Sequence, residues 1–363
     1  MKIALVHDYL NQYGGAERVL ECLIEMFPDA PIYTLFYDEQ KTNRRFVGKK
    51  IVTSFLDFKL AHNHHRWFIP LMPLAMKSMR IKNDYDLIIS ATAGYAKGIG
   101  YSPKTKHFCY CYTPLRYAWE PEYLRNFQLP IFNFQLGRLF VKLVLNYLRK
   151  WDWRAAQRPQ KMITLSNFIA QKIKNNYGRE VEVLYPPLDT KKFFYDPEIK
   201  RENYYLAAGR LIHYKNFHII IEAFNHIGLP LKVVGSGPEL GNLKKIAKPN
   251  IDFLGFVQSD NEMRKIYNAA KGFVFASVED FGLVMAEAQA CGTPVIALKE
   301  GGVLEIVDSG KTGIFFDKPT VKDLVIAINQ FEKMKFDRNK ISVSMEKFSI
   351  NQFKTGLQKR LEI

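Results

Sequence analysis

The chain has 363 residues, of which 47% are hydrophobic and 24% charged, so a disordered or fibrous protein is excluded. At roughly 100–200 residues per domain, the length favours two domains. No uncharged apolar run approaches the roughly 18 residues of a spanning helix, and an integral membrane protein is not expected. The first apolar run has four residues before His7 and Asp8, too few for a signal-peptide core.

Short apolar runs alternate with helical patterns along most of the chain, which predicts an α/β fold with parallel sheets. Predicted strands in the first half are 3–7, 32–36, 86–90, 106–110, 162–165 and 182–184. Those in the second half are 204–208, 231–235, 251–254, 272–276 and 295–297. The clearest helices are 16–26, 216–227, 260–270 and 283–291.

A domain boundary is predicted at Pro186 and Pro187, because two prolines stop any regular element and a new strand–loop–helix series follows. We therefore expect two Rossmann-like domains, 1–187 and 188–343. The end of the chain, 344–363, is predicted to be a helix that packs back on the first domain.

Four scattered cysteines are too few for a disulfide framework, which suggests a reducing cytoplasm. Cys109 and Cys111 are two apart on a predicted strand, so they share one face. Packing as small apolar groups is the simpler interpretation, because no second Cys/His pair stands at metal-ligand spacing.

The net charge of +16 is concentrated in the first half, where residues 41–82 hold ten Lys or Arg against one acid, Asp57. Such a field attracts nucleic acid, anionic lipid or phosphorylated ligands. Residues 131–154 mix aromatic and aliphatic residues with five cations: Arg138, Lys142, Arg149, Lys150 and Arg154. This stretch fits a helix at a membrane surface or a core helix whose exposed edge is basic. No nucleic-acid-binding module is recognisable.

Glycines follow several predicted strands. Gly14 and Gly15 separate the first strand from its helix, where a tight turn or a phosphate contact explains them equally well. Gly209-Arg210 and Lys215-Asn216 flank a similar turn in the second half. Both cations could reach one pyrophosphate there, or both could be ordinary surface charges.

Glu279 and Glu287 stand eight apart around the start of a predicted helix at Gly282. The first amides of that helix lack intrahelical partners and suit an anion. Carboxylates on both sides could then bind sugar hydroxyls.

Together these residues resemble the GT-B glycosyltransferases, specifically the large retaining family 4 that includes bacterial mannosyltransferases and sucrose synthases. The E-x7-E motif, the G-R…K-N turn, the Gly-Gly loop and the blocks 288–297 and 301–305 carry the resemblance. The stretches 86–98, 112–117 and 279–282 look closest to the subgroup that assembles O-antigen and capsule sugars, often from GDP-mannose. The resemblance implies two Rossmann-like domains facing each other across a cleft.

It also implies roles for individual residues. Arg210 and Lys215 would neutralise the leaving diphosphate, Glu279 would bind donor-sugar hydroxyls and Glu287 the ribose. The donor-binding residues would be Gly15, Gly209, Gly235, Phe281, Gly282, Leu283, Val284 and Glu287. The residues assigned to catalysis are Glu279, Arg210, Lys215 and Tyr112, and those on the acceptor side are Arg116 and Tyr95.

One position departs from the family. Members commonly carry a His before the Thr-Pro of the first-half loop, and here that place is Tyr112. A tyrosine hydroxyl donates a hydrogen bond but is a poor proton carrier near neutral pH. Either the His is dispensable in this branch, or the acceptor side differs.

No metal or other cofactor is expected. Asp84-Tyr85-Asp86 is a D-x-D, but it leads into an apolar strand, which favours a loop over a metal site. The expected partners are a nucleotide-diphosphate sugar, a saccharide or lipid-linked acceptor and an anionic membrane, with no nucleic acid. The expected location is the cytoplasmic face of the cell membrane. A basic nucleic-acid-binding protein and a GT-B sugar-nucleotide 2-epimerase are the alternatives.

Overall fold

The computed structural model describes residues 1–81, 85–120 and 135–362. Its contacts divide the chain into two units. Unit 1 comprises Met1–Tyr185 and Gly356–Ile363, and unit 2 comprises Pro186–Thr355. The division falls two residues before the predicted boundary, at the first of the two prolines.

Unit 1 contains a seven-stranded parallel sheet with the strand order β3-β2-β1-β4-β5-β6-β7. Its central strands are mainly apolar and are buried along their whole length, as is typical of a parallel sheet that is covered on both faces. The strands are β1 Ile3–His7, β2 Ile32–Thr34, β3 Ile51–Thr53, β4 Leu87–Thr92, β5 Lys106–Cys111, β6 Lys161–Thr164 and β7 Glu182–Val183. The helices are Gly15–Met26, Lys59–His64, Met72–Ser78, Arg116–Trp119, Gln135–Ala156 and Asn167–Tyr177, with 3₁₀ turns at His65–Phe68 and Ala96–Gly98.

Unit 2 repeats this plan with six parallel strands in the order β10-β9-β8-β11-β12-β13. The strands are β8 Tyr205–Ala208, β9 Leu231–Val234, β10 Ile251–Gly255, β11 Gly272–Phe275, β12 Val295–Leu298 and β13 Gly313–Phe316. The helices are Phe217–Ile227, Leu240–Ile246, Asp260–Ala269, Leu283–Ala290, Val303–Ile306, Val321–Phe331 and Arg338–Ser344, followed by Ile350–Leu361, which continues into unit 1.

The strand order of each sheet reverses at one point. In unit 1 this switch lies between β1 and β4, and in unit 2 between β8 and β11. Ligands of open parallel sheets bind in the crevice beyond the carboxyl ends of the strands at such a point. The loops after β1, β4, β8 and β11 are therefore where functional residues are expected.

The prediction of two parallel α/β domains is confirmed, and each predicted strand is present. Two strands were missed, the three-residue β3 and the four-residue β13. A C-terminal helix that reaches unit 1 is present, but it begins later than the predicted residue 344. Residues Met345–Phe348 form a 3₁₀ turn before the helix Ile350–Leu361, and only Gly356–Ile363 belongs to unit 1.

The basic stretch predicted at 131–154 is helical over Gln135–Ala156, and residues 131–134 lie outside the described part of the chain. Leu148 and Asp152 face the interior, whereas Lys150 and Arg154 are exposed. Arg149 does not belong to the exposed edge, because its Nε donates to the carbonyl of Ala118 at 2.6 Å. Throughout the described residues, no helix combines the length and apolarity needed to cross a bilayer.

Candidate functional site

Two glycines bring bare backbone together at the switch point of unit 2. Gly209 follows β8 with φ +151°, and Gly235 follows β9 with φ +142°. A Cβ on Gly235 would lie 1.9 Å from the carbonyl oxygen of Gly209, so no side chain fits there. The structure thus brings two of the predicted donor-binding residues into contact. Because both are glycines, no side chain covers the backbone at the ends of β8 and β9.

The loop after β8 carries both predicted cations. Arg210 is exposed, and Lys215 closes a 3₁₀ turn, His213–Lys215. Asn216 then adopts a left-handed conformation with φ 55° and begins the helix Phe217–Ile227. Its Nδ2 donates to the Ala276 carbonyl at 2.9 Å, which ties this loop to the end of β11.

Lys215 and Glu279 form an ion pair between these two loops. Their side chains are 11% and 23% exposed, so the pair is partly shielded but reachable from solvent. The Lys215 ammonium also lies 5.1 Å from the ring centre of Phe275. The structure therefore places the charged group predicted for the diphosphate beside the carboxylate predicted for the sugar.

The helix Leu283–Ala290 begins at Gly282, whose φ of +108° is a left-handed value that favours glycine. Its intrahelical hydrogen bonds start with the amides of Met285 and Ala286, which donate to the Gly282 carbonyl at 2.9 and 3.2 Å. The amides of Leu283 and Val284 precede them in the first turn, where the positive end of the helix dipole favours an anion.

Phe281 and Glu287 lie deeper than a direct role in binding would suggest. Phe281 is buried, with its ring centre 5.2 Å from that of Phe348. Glu287 is only 4% exposed, and the Tyr267 hydroxyl donates to it at 3.2 Å. Phe281 therefore packs in the interior of unit 2, and the Glu287 carboxylate is buried beside Tyr267.

In unit 1 the switch point is organised by Asp8, which sequence reasoning missed. The Thr92 hydroxyl donates to its carboxylate at 2.7 Å. The amides of Ala93, Tyr95 and Ala96 donate at 2.6, 2.7 and 2.6 Å. An acidic residue after an apolar strand was the available signal, but nothing in the sequence indicated which amides it would bind.

Gly15 and Tyr112 come together near the start of the helix Gly15–Met26. Gly15 is exposed, and the preceding Gly14 amide donates to the Glu17 carboxylate at 2.8 Å. The Tyr112 hydroxyl donates to the Ala16 carbonyl at 3.1 Å. Burial raises the pKa of Tyr112 well above its usual range, so the hydroxyl stays protonated at neutral pH.

The two acceptor-side predictions have different outcomes. Arg116 begins the short helix Arg116–Trp119 and is half-buried. Tyr95 is 1% exposed in the core, with its ring centre 5.7 Å from that of Trp151. A ring buried to this extent packs against its neighbours, so the structure assigns Tyr95 to the core of unit 1 rather than to an exposed acceptor surface.

A second buried group in unit 1 also escaped sequence reasoning. Lys97 and Asp152 are both fully buried, with Nζ and Oδ1 2.7 Å apart. The other carboxylate oxygen accepts from Trp119 Nε1 at 2.7 Å and from the Tyr177 hydroxyl at 2.6 Å. Burial alone would lower the pKa of Lys97, but the neighbouring Asp152 raises it. Asp152 thus links the helix Gln135–Ala156 to the segment that follows β5.

The D-x-D is only half within the described residues. Asp84 lies outside them, and the Asp86 carboxylate accepts from the backbone amide of Lys2 at 2.7 Å. Asp86 therefore supports the start of β1. Cys109 and Cys111 are buried on β5, in agreement with the packing interpretation.

Comparison with known sequences finds a family match in the second half of the chain. Residues 189–348 match the family described as Glycosyl transferases group 1. The chain is 29% identical over 205 residues to a probable sucrose-phosphate synthase of Thermosipho melanesiensis, covering 48% of this chain and 45% of that protein. It is 22% identical over 351 residues to O-antigen chain mannosyltransferase C of Escherichia coli, covering 89% and 85%. The chain spans about half or less of the length of several relatives that it matches, the Thermosipho synthase among them.

Solved structures extend the likeness in fold to the whole chain. The UDP complex of Anabaena Alr3699/HepE matches with a TM-score of 0.73 at 19% identity, covering all of both chains. A sucrose-phosphate synthase of Thermosynechococcus elongatus matches with a TM-score of 0.71 at 16% identity, covering 100% and 98%. The two parallel-sheet domains are therefore those of the GT-B fold.

Proposed function

We propose that this protein is a retaining glycosyltransferase that moves mannose from GDP-mannose to a saccharide or lipid-linked acceptor in cell-surface polysaccharide synthesis. The observation that carries the proposal is the switch point of unit 2, where Arg210 and the Lys215–Glu279 pair lie beside bare glycine backbone. It falls within the residues that match the group 1 glycosyltransferases.

The choice of mannose comes from relatives. The Escherichia coli O-antigen mannosyltransferase aligns with most of this chain. A mycobacterial relative, 29% identical over 194 residues, is named for its dependence on GDP-mannose and for a phosphatidylinositol mannoside acceptor. Both names describe a mannosyltransferase.

The charges of the site suit a reaction whose leaving group is a nucleoside diphosphate. Negative charge grows on that group as the sugar–oxygen bond breaks, and nearby cations stabilise it. Arg210 and Lys215 would supply them, with amides of Leu283 and Val284 contributing the helix dipole. Glu279 holds the Lys215 ammonium in place and keeps a second carboxylate oxygen for a sugar hydroxyl.

The assignment of Arg210 is tested by nucleotide binding. Losing one charged partner of a phosphate costs about 1.5–3 kcal/mol. Arg210→Ala is therefore expected to weaken GDP binding at least about tenfold in calorimetry. Arg44→Ala is the matched control, because its side chain is 74% exposed in unit 1. Equal GDP affinity in folded Arg210→Ala and wild-type protein would reject this role.

A donor panel then identifies base and sugar. GDP, UDP and ADP with their mannose and glucose conjugates are compared by thermal shift, in which a ligand at 100 times its Kd adds about 2.7 kcal/mol. We expect the largest shift with GDP-mannose. Transfer of labelled mannose with retained anomeric configuration completes the test, and donor consumption without an acceptor indicates an epimerase instead.

Metal-independent turnover is part of the proposal, because cations and helix amides supply the positive charge. We expect full activity in EDTA. Activity that disappears with EDTA and returns with Mn²⁺ would contradict this and direct attention to Asp84.

The proposed location is the cytoplasmic face of the membrane, held there by the basic first half. Each Lys or Arg near an anionic surface contributes about 1 kcal/mol. Exposed Lys150 and Arg154 on the helix Gln135–Ala156 are candidates for this attraction.

A further inference from the structure

One side of unit 1 exposes large apolar side chains over a short distance in sequence. Residues 58–74 contain five exposed large apolar side chains: Phe58 at 40%, Leu60 at 50%, Trp67 at 61%, Leu71 at 46% and Leu74 at 56%. A second group lies on the helix Gln135–Ala156: Leu143, Tyr147 and Trp153, at 60%, 45% and 48%. Single exposed apolar residues are normal, but a concentration of this kind marks an interaction surface.

Both groups belong to one layer of the fold. The helices Met72–Ser78 and Gln135–Ala156 contribute buried residues to the same hydrophobic core of unit 1. A Cβ on Gly98 would meet the Trp151 ring at 2.3 Å, and one on Gly100 would meet the Lys77 carbonyl at 2.7 Å. The two helices therefore both pack against the segment 98–100, and Ile69 of the preceding segment belongs to the same core. We name the exposed side chains of residues 58–77 and of the helix Gln135–Ala156 together the basic-apolar face.

Within the two segments 58–81 and 142–154, every exposed charge is positive. Residues 58–81 contain no Asp or Glu, and exposed Lys59, Arg66 and Lys77 lie among the apolar side chains. On the helix Gln135–Ala156, Lys142, Lys150 and Arg154 share the exposed face with the second apolar group. The one acid of that helix, Asp152, is completely buried. The face therefore offers cations and apolar groups with no exposed carboxylate from these two segments.

We infer that the basic-apolar face inserts its apolar side chains into an anionic lipid bilayer while its cations bind the headgroups. This inference rests on the proposed membrane location and replaces attachment by charge alone. Interfacial segments combine Trp, Phe and Leu with Lys and Arg in this way, and Trp and Tyr concentrate at the headgroup level. Nucleic acid fits less well, because Leu60, Leu71, Leu74 and Leu143 offer no ring on which a base could stack.

Insertion of apolar side chains and electrostatic attraction to headgroups differ in how vesicle binding responds to salt. Salt screens charges over about 8–10 Å, but it does not screen the burial of apolar surface. We therefore expect wild-type protein to sediment with phosphatidylglycerol–phosphatidylcholine vesicles at low salt and to remain partly bound at about 500 mM NaCl.

The decisive variant removes apolar groups and keeps every charge. Trp67→Ser with Leu74→Ser is expected to weaken vesicle binding about tenfold at low salt and to abolish it at high salt. Ile326→Ser with Val343→Ser is the matched control, because these unit 2 side chains are 55% and 60% exposed. The control is expected to bind vesicles as wild-type protein does.

Tryptophan fluorescence measures how deeply the face inserts into the bilayer, independently of its affinity for vesicles. Brominated lipids are expected to quench wild-type tryptophan emission, and Trp67→Phe with Trp153→Phe is expected to lose most of that quenching. The remaining Trp119 and Trp151 are only partly accessible. Undiminished quenching in this variant would contradict insertion at the basic-apolar face.

Other outcomes reject the inference in distinct ways. Complete release of wild-type protein at high salt, or unchanged binding by the Trp67/Leu74 variant, shows that charge alone attaches the protein. Tighter binding to a DNA duplex than to vesicles, weakened by the same variant, assigns the face to nucleic acid. GDP affinity is measured in parallel. Its absence from wild-type protein defeats the proposed function, whereas its loss in the variant alone indicates misfolding.

Discussion

The two units use charged residues at their switch points in opposite ways. In unit 1, Asp8 is 7% exposed, and the Lys97–Asp152 pair is completely buried. In unit 2, Arg210 is exposed, and the Lys215–Glu279 pair remains partly accessible. Both sheets have the same parallel architecture, so this difference arises from the loops and not from the strands.

Burial determines what each charge can do. A buried ion must keep its partners, because an unpaired charge in the interior is strongly destabilising. Asp8 and Asp152 therefore hold the loops after β4 and β5 in one arrangement. The partly exposed pair of unit 2 can exchange partners with a ligand at lower cost. The buried charges of unit 1 hold a fixed framework, whereas those of unit 2 remain accessible to solvent.

The largest effect that tests this comparison is expected from Asp152→Ala. The substitution leaves Lys97 buried without its carboxylate and removes the acceptor for Trp119 Nε1 and the Tyr177 hydroxyl. Unit 1 is expected to lose about 3–5 kcal/mol of unfolding free energy. Urea unfolding monitored by tryptophan fluorescence measures it, since all four tryptophans lie in unit 1.

The double variant Lys97→Met with Asp152→Leu is the control. It removes both charges at once, and its loss of stability is expected to be smaller than that of Asp152→Ala. A loss below about 1 kcal/mol for Asp152→Ala would remove the distinction between a fixed and an exchangeable pair.

A smaller effect is expected in unit 2 from Gly235→Ala. The new methyl group would lie 1.9 Å from the Gly209 carbonyl oxygen, and overpacking of this kind costs about 1–3 kcal/mol. Gly228→Ala is the matched control, because Gly228 also has a positive φ, +74°, but nothing within 4 Å of its Cβ position. Thermal unfolding should separate the two variants. Equal losses would mean that backbone strain alone, and not the close approach, makes position 235 a glycine.

The smallest effect is expected from Tyr112→Phe. It removes the hydroxyl that donates to the Ala16 carbonyl and should cost about 1 kcal/mol of stability. We expect kcat to fall less than about tenfold, because the hydroxyl is engaged with the backbone and stays protonated. A larger fall in kcat with unchanged stability would give Tyr112 a direct catalytic role.

Most of the sheets could be predicted because apolar runs mark strands that are buried on both faces. Strand β3, Ile51–Thr53, was missed because three residues between Lys50 and Ser54 carry too little pattern. Strand β13, Gly313–Phe316, is nearly as short. Both missed strands lie at a sheet edge, but an edge position and a short length are not sufficient causes, because the two-residue edge strand Glu182–Val183 was predicted.

The residues of the unit 2 site could be found from sequence because they stand in recognisable motifs on two loops, although the contact between Lys215 and Glu279, 64 positions apart, could not. Lys97 and Asp152 are 55 positions apart, and only the fold brings them into contact. The burial of Tyr95 depends on packing against Trp151, again from a distant helix. Local spacing identified the loops, and tertiary contacts determined which of their side chains remain accessible.

The helix Ile350–Leu361 has a consequence for synthesis on the ribosome. Its second half belongs to unit 1, where Arg360 pairs with Glu182 at 3.0 Å and donates to the Val183 carbonyl at 3.1 Å. Translation proceeds from the amino end at about 5–20 residues per second, so all of unit 2 emerges before Arg360 does. Arg360 is 177 residues beyond Val183, so the edge strand β7 waits about 10–35 seconds for its final contacts. The first unit to begin folding is therefore the last to be completed.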